Sequence, residues 1–307
     1  DPNGRAIALQ PDGKVLVVGA FTAIGGHPTR YLARLNQNGS VDTGFTTNIQ
    51  TDRPYALAVQ PDGRILIGGL ITEVNGVARN RIARLNADGS LDDGLNPGTG
   101  PDSYVRAFAR WHDGKVVVGG SFTTYNGVAA GCVVRLNDDG SADPAFDPGT
   151  GCNGQVYTAA HDMNGRILIG GDFIRVNGIE RNRVARLTAT GALDDTFDAG
   201  KLSEGGGPNG IVFAVVPQST GKIIVGGSFT QFNGISHYGL VRLNDNGTVD
   251  DTFTGYVGGG SVRAMIKNPD WGYFIGGTFS SACGQPRVGI ALISSNGVLD
   301  VGFAPPS

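Results

Sequence analysis

One phrase governs this sequence. "GGSFTTYNG", around Phe122, has counterparts around Phe21, Ile71, Phe173, Phe229 and Phe279, so that successive copies lie 50, 51, 51, 56 and 50 residues apart. A second phrase, Arg-Leu-Asn-x-x-Gly, starts at Arg34, Arg84, Arg135 and Arg242; Arg186-Leu187 keeps its first two residues, and the sixth copy reads Leu292-Ile293-Ser294. A third, Asp-x-x-Phe, starts at Asp42, Asp92, Asp143, Asp194, Asp250 and Asp300, with Leu95 replacing the aromatic once. Self-similarity at a fixed period of this length marks a repeat architecture in which each unit buries its apolar surface against the next.

Each copy reads as four strands. The first is short (Arg5 to Gln10, Tyr55 to Gln60, Val105 to Arg110) and meets the second at Pro-Asp-Gly, where proline pre-sets φ and glycine accepts the left-handed position. The second is apolar, as in Arg64-Ile-Leu-Ile-Gly-Gly, and a longer Asn-Gly-x-x-Arg-Asn loop follows (75 to 80, 177 to 182). A three-residue turn at Ala87-Asp88-Gly89 then sets Leu85 opposite Leu91 and Arg84 opposite Asp92, which puts apolar pairs on one face and opposite charges on the other. The same register pairs Arg34 with Asp42, Arg135 with Asp143, Arg186 with Asp194 and Arg242 with Asp250. Four antiparallel strands in about 50 residues, six times over, predict an all-β, six-bladed β-propeller. The expected blades are 1–50, 51–100, 101–151, 152–207, 208–257 and 258–307, forming one domain over 1–307. This phase exchanges no strand between the termini, and a shifted phase with a strand supplied from outside the sequence stays open.

Composition agrees. Glycine supplies 51 of 307 residues, more than twice the usual ~7%, with no G-X-Y period, which means many tight turns. A formal net charge of −3 and the lack of a basic stripe argue against nucleic acid. No apolar run reaches the ~18 residues of a membrane-spanning helix.

The stretch "ALAVQPDGRILIGG…NGVARNRIARLNADGSLDDGLNPG" resembles the delta-60 repeat family of bacterial surface and secreted proteins, and the resemblance covers essentially the whole chain. It implies a propeller module inside a large extracellular protein, adhesive or of uncharacterised role, with no catalytic residues. Copy six departs most, losing the arginine and reading Cys283-Gly284 for Asn-Gly.

Strand alternation places the Pro-Asp-Gly and Asn-x-Asp-Gly turns on one face, and the Asn-Gly and inter-blade loops on the other. The copies differ on the second face, so ligand candidates fall there: Arg30, Tyr31, Arg79, Asn80, Tyr104, Arg181, Asn182, Tyr238 and Arg287, with one insertion at 201–209. Aromatic rings beside planar hydrogen-bonding groups could hold a sugar or a peptide. The competing reading closes each loop with its Arg-Asn pair. Asn86 to Asp92 has closely spaced oxygens but neither the spacing nor the terminal glutamate of an EF-hand, so no metal is expected. His27, His112, His161 and His237 lack metal-ligand spacing, and no catalytic motif or cofactor signature stands out. Cys132 and Cys152, on the same face, are candidates for a disulfide, the alternative being reduced thiols.

The sequence therefore predicts a non-enzymatic binding or adhesion module, extracellular or at the cell surface. It would be a monomeric part of a longer bacterial chain, with a glycan or surface protein as its partner. A structural spacer and a polysaccharide-acting enzyme are the alternatives.

Overall fold

The computed structural model describes residues 4–110, 113–199, 206–268 and 271–303. The chain divides into two compact units, 1–147 and 148–307. Each carries three of the repeats, and among the described residues there is no helix.

Every repeat builds an antiparallel sheet on three main strands, with a short hairpin between the second and the third that in the second repeat joins the same sheet. In the first unit these are Gly4–Leu9, Val15–Gly19 and Leu32–Leu35; then Ile49–Val59, Ile65–Val74 and Ile82–Leu85; then Val105–Arg110, Val116–Gly120 and Val133–Leu136. In the second unit they are Val156–His161, Ile167–Gly171 and Val184–Leu187; Val212–Pro217, Ile223–Gly227 and Leu240–Leu243; and Val262–Lys267, Gly272–Gly277 and Ile290–Ser294. The second strand is apolar throughout because both of its faces are covered. Ile65 and Ile67 pack with Leu16, Val18 and Leu32 of the preceding repeat, whereas Leu66 between them packs with Val116 and Val118 of the following one. The core therefore lies between consecutive sheets.

The expected fourth strand shrinks to single bridges, Leu35↔Val41, Leu85↔Leu91, Leu136↔Ala142, Leu187↔Leu193, Leu243↔Val249 and Ile293↔Leu299. The register is the one read from the sequence, with Asp92 N–H donating to Arg84 O at 2.9 Å. The strand ends there because the aspartate folds the chain onto its own carboxylate: Asp92 Oδ1 accepts from Gly94 N–H at 2.8 Å. The long loop instead forms a two-residue hairpin. Asn75 (φ 51°) and Gly76 (φ 82°) supply the two left-handed residues that its tight turn needs. Asn75 Oδ1 also accepts from Asn48 N–H at 2.8 Å, and Asn126 Oδ1 from Gly100 N–H at 2.8 Å, tying the hairpin to the segment that precedes its blade.

The paired Arg and Asp positions form a repeated buried cluster. Arg186 Nε donates to Asp194 Oδ2 at 2.7 Å, its guanidinium lies 4.8 Å from the Phe197 ring centroid, and Nη1 reaches Asp245 O of the next repeat at 2.5 Å. Arg34 repeats this with Asp42, Phe45 and Ala87 O, and Arg242 with Asp250, Phe253 and Ser295 O. In three repeats a lysine from the residue just before the second strand joins, as Lys115 does at 2.9 Å from Asp143. Burial works against ionisation of Asp143, but hydrogen bonds from Lys115, Ala145 N–H and Arg135 outweigh it and bring the carboxyl to about 2. Asp250 is likewise lowered against its burial, by Lys222, Thr252 and Arg242. A carboxylate with a depressed folded pKa contributes stability above its unfolded pKa and loses that contribution as pH falls through the folded one. The urea midpoint should therefore hold level from pH 7 to about 4 and fall steeply between about 4 and 2. A midpoint already falling between pH 6 and 5 would contradict this account.

Candidate functional site

The first strands share one irregularity. In each, the pairing with the second strand slips by a residue: between Gly4 and Ala6, Pro54 and Ala56, Val105 and Ala107, Val156 and Thr158, Val212 and Ala214, and Val262 and Ala264. The extra residues are Arg5, Tyr55, Arg106, Tyr157, Phe213 and Arg263. A bulge re-aims the side chain it carries, and all six of these side chains are aromatic rings or guanidiniums.

They stack within each unit. In the first, the Arg5 guanidinium lies 4.7 Å and that of Arg106 4.6 Å from the Tyr55 ring centroid. Tyr104 meets Tyr55 edge-on at 5.5 Å and lies 5.1 Å from Arg106, whose Nε donates to Ser121 Oγ at 3.2 Å. In the second, Tyr157 meets Phe213 edge-on at 5.5 Å, and the Arg263 guanidinium lies 4.4 Å from the Phe213 centroid. Arg5 and Arg263 are exposed and the others half-buried.

A Gly-Gly pair on the second strand, present in every repeat but the first, makes room for the bulge. A Cβ on Gly171 would lie 1.9 Å from Gln155 O, the carbonyl just before the first strand, and one on Gly170 would lie 2.4 Å from Val212 Cγ1 of the next repeat.

The residues expected from sequence are distributed differently. Only Tyr104 joins these stacks. Arg79 pairs with Asp93 at 2.8 Å, and Asn80 donates to Thr99 O. Arg181, 2% exposed, holds Asp195 at 3.1 Å, and Asn182 donates to Gly206 O and Pro208 O. Arg287 donates to Pro286 O and Val301 O. These Arg and Asn side chains close their loops. Tyr31 has φ 68° and packs half-buried against the core of the first two repeats. Arg30 borders a groove of roughly 460 Å³ with His27 and Phe45, and Tyr238, 51% exposed, borders a separate depression with Tyr256 and Phe253. Asp88 and Asp92 take the turn and ion-pair roles read from the register: Asp88 Oδ1 accepts from Ser90 N–H at 2.9 Å, and Asp92 pairs with Arg84. Cys132 lies in the first unit and Cys152 in the second. Residues 201–205 of the insertion and His112 lie outside the described residues.

The bulge residues left a signal in the sequence. The position before Ala6, Ala56, Ala107, Thr158, Ala214 and Ala264 reads Arg, Tyr, Arg, Tyr, Phe, Arg in an otherwise small and apolar strand. Strand alternation assigns that position to no loop, and only a bulge turns it outward.

A family model described as a domain of unknown function (DUF5122) beta-propeller matches residues 10–45, 60–94, 112–146, 164–197, 218–253 and 273–303. The chain belongs to this DUF5122 β-propeller family. Six matched segments agree with the six-bladed propeller expected from the repeat, although the match does not carry the delta-60 name. No curated protein matches the chain.

Among solved structures, this DUF5122 chain is similar to PorZ, a bacterial surface component of the type-IX secretion system of Porphyromonas gingivalis. The TM-score is 0.55 at 12% identity, over 100% of this chain and 43% of that one. It is similar also to the extracellular domain assigned to a hybrid two-component system of B. thetaiotaomicron, with a TM-score of 0.53 at 12% identity, over 95% and 33% of the two chains. A structure of YCF48 bound to D1 peptide gives 0.51 at 13%, over 98% and 79%. The DUF5122 chain thus spans a third of the two-component chain and under half of PorZ. At these identities the likeness is one of fold.

Proposed function

We propose that this propeller is a non-catalytic binding module of a larger bacterial surface or secreted protein. Its ligand, a glycan, is held by the stacked side chains at the first-strand bulges. The observation that carries the reading is that all six bulges present a ring or a guanidinium. Aromatic faces cover the C–H faces of sugars, while guanidiniums and tyrosine hydroxyls supply directed hydrogen bonds. In a propeller the blades surround a central channel, and the first strands pack against one another along each unit, which suits an extended ligand. The carboxylates of Asp88, Asp92 and Asp194 are engaged in turns and ion pairs, which supports binding over catalysis. PorZ and the two-component domain belong to surface or extracellular proteins, and this supports the proposed location.

A glycan array with the purified chain, run with calcium and with EDTA, tests this. Binding that survives EDTA and weakens roughly tenfold or more in Tyr55→Ala is the expected result. Binding unaffected by Tyr55→Ala would move the site off the bulges, and no binding at all would favour a spacer. A disulfide between Cys132 and Cys152 is a further proposal carried from the sequence. Peptide mapping without reductant is expected to yield a fragment joining Cys132 and Cys152 that separates on reduction, and two separate alkylated peptides would refute the bond.

A further inference from the structure

We propose that a groove between the turns of the fifth and sixth repeats binds a single acidic sugar, its ring on Trp271 and its carboxylate between Lys222 and Lys267. The groove lies within the second unit, on the turn face, and does not depend on the bulge reading above. It holds roughly 340 Å³, the low end of the ~300–1,000 Å³ of ligand sites, so it fits one sugar unit and not a length of chain.

Charge sets this groove apart from its counterparts. In the second repeat Arg64 and Arg84 are matched by Asp62, Asp92 and Asp138. In the fourth, Arg166 and Arg186 are matched by Asp162, Asp194 and Asp245. Asp138 and Asp245 belong to the following repeat, and their counterpart in the sixth is the neutral Ser295. The first-turn aspartates Asp12, Asp62 and Asp113 have Thr220 as their counterpart in the fifth. Lys222 and Arg242 are left to share Asp250, at 2.7 and 2.6 Å. Lys267 adds an exposed cation that has no partner among the described residues, and among those residues no carboxylate borders the groove. A cleft lined by one sign of charge gathers ligands of the other.

The remaining lining suits a sugar. Trp271 stands where the first five repeats place the left-handed glycines Gly13, Gly63, Gly114, Gly165 and Gly221. It is 44% exposed, and an exposed indole face can cover the C–H face of a pyranose. Gln218, 7% exposed, donates through Nε2 to Ser295 O at 3.1 Å and to the Tyr273 hydroxyl at 3.4 Å. Among the described residues its Oε1 accepts no hydrogen bond, and the amide hydrogens of Asn296 have no acceptor. Sugar hydroxyls both donate and accept, and so serve both groups, whereas an acidic peptide side chain only accepts.

Ligand-detected NMR titration of the full chain at low salt tests this, with methyl glucuronoside, methyl glucoside and N-acetylglutamate as probes. The glucuronoside is expected to bind, and the glucoside, which lacks the charge, at least about tenfold more weakly. Trp271→Ala and Lys267→Gln should each weaken the glucuronoside about tenfold or more. Ser295→Asp restores the aspartate that the third and fifth repeats carry, so it should fold as the parent does and also weaken binding about tenfold. Arg175→Gln removes a cation from the hairpin of the fourth repeat, where it pairs with Glu180, and should leave binding unchanged within about twofold. Far-ultraviolet dichroism matching the parent chain shows that the variants fold. Equal binding of the glucoside, or full binding by Ser295→Asp, would overturn the proposal. Tighter binding of N-acetylglutamate would replace it with an acidic-peptide site. Failure of all three probes would also overturn it, and the Tyr55→Ala array result judges the bulge reading by itself.

Discussion

Arg186→Ala is expected to destabilise the protein by roughly 3–5 kcal/mol, the range for removing one partner of a buried ion pair. The arginine side chain is 1% exposed and Asp194 opposite it 10%, so the carboxylate left behind has little access to water. The same change removes the bonds to Asp245 O and Thr196 Oγ1 and the contact over Phe197. Arg186→Lys keeps the charge but lacks the fork that serves Asp194 and the next repeat together, so it should recover only part of the loss. Urea denaturation of the three proteins checks this. A loss below about 1 kcal/mol, the scale of an exposed pair, would show that the cluster is solvated.

Gly171→Ala should be damaging for a different reason. Its Cβ would stand 1.9 Å from a backbone oxygen, Gln155 O, and 3.1 Å from Phe173 Cδ1, so the bulge of the fourth repeat must shift. Overpacking of this kind costs about 1–3 kcal/mol or more. Gly178→Ala is the comparison. It has φ +74° but nothing within 4 Å, so it carries backbone strain alone, about 1–2 kcal/mol. Thermal melts should place Gly171→Ala below Gly178→Ala, and a reversed order would mean that the glycine pair serves the turn and not the bulge.

The two substitutions probe features that the sequence revealed unequally. The Arg186–Asp194 pair was legible because its members lie eight residues apart across one turn, where register follows from alternation and turn length. The Asn-Gly hairpins were legible as loops, though not as the hydrogen-bonded ties that Asn75 and Asn126 make to the segment before each blade. The fourth strand is shorter than its sequence pattern implies. Its apolar and charged residues alternate correctly, but the Asp carboxylate captures the backbone two residues on and ends the ladder after one bridge.

What the sequence determined by itself was the repeat, the strand order within each blade and the hairpin register, all set by contacts within about 50 residues. The tertiary structure decided which planar side chains meet. Tyr55 is joined by Arg5 and Arg106, one from the preceding repeat and one from the following, and Tyr31 turns into the core although it stands in a variable loop. Periodicity states which face of a strand a residue occupies, but a bulge breaks that rule by one residue. The direction of the side chain at that point is then set by packing between blades.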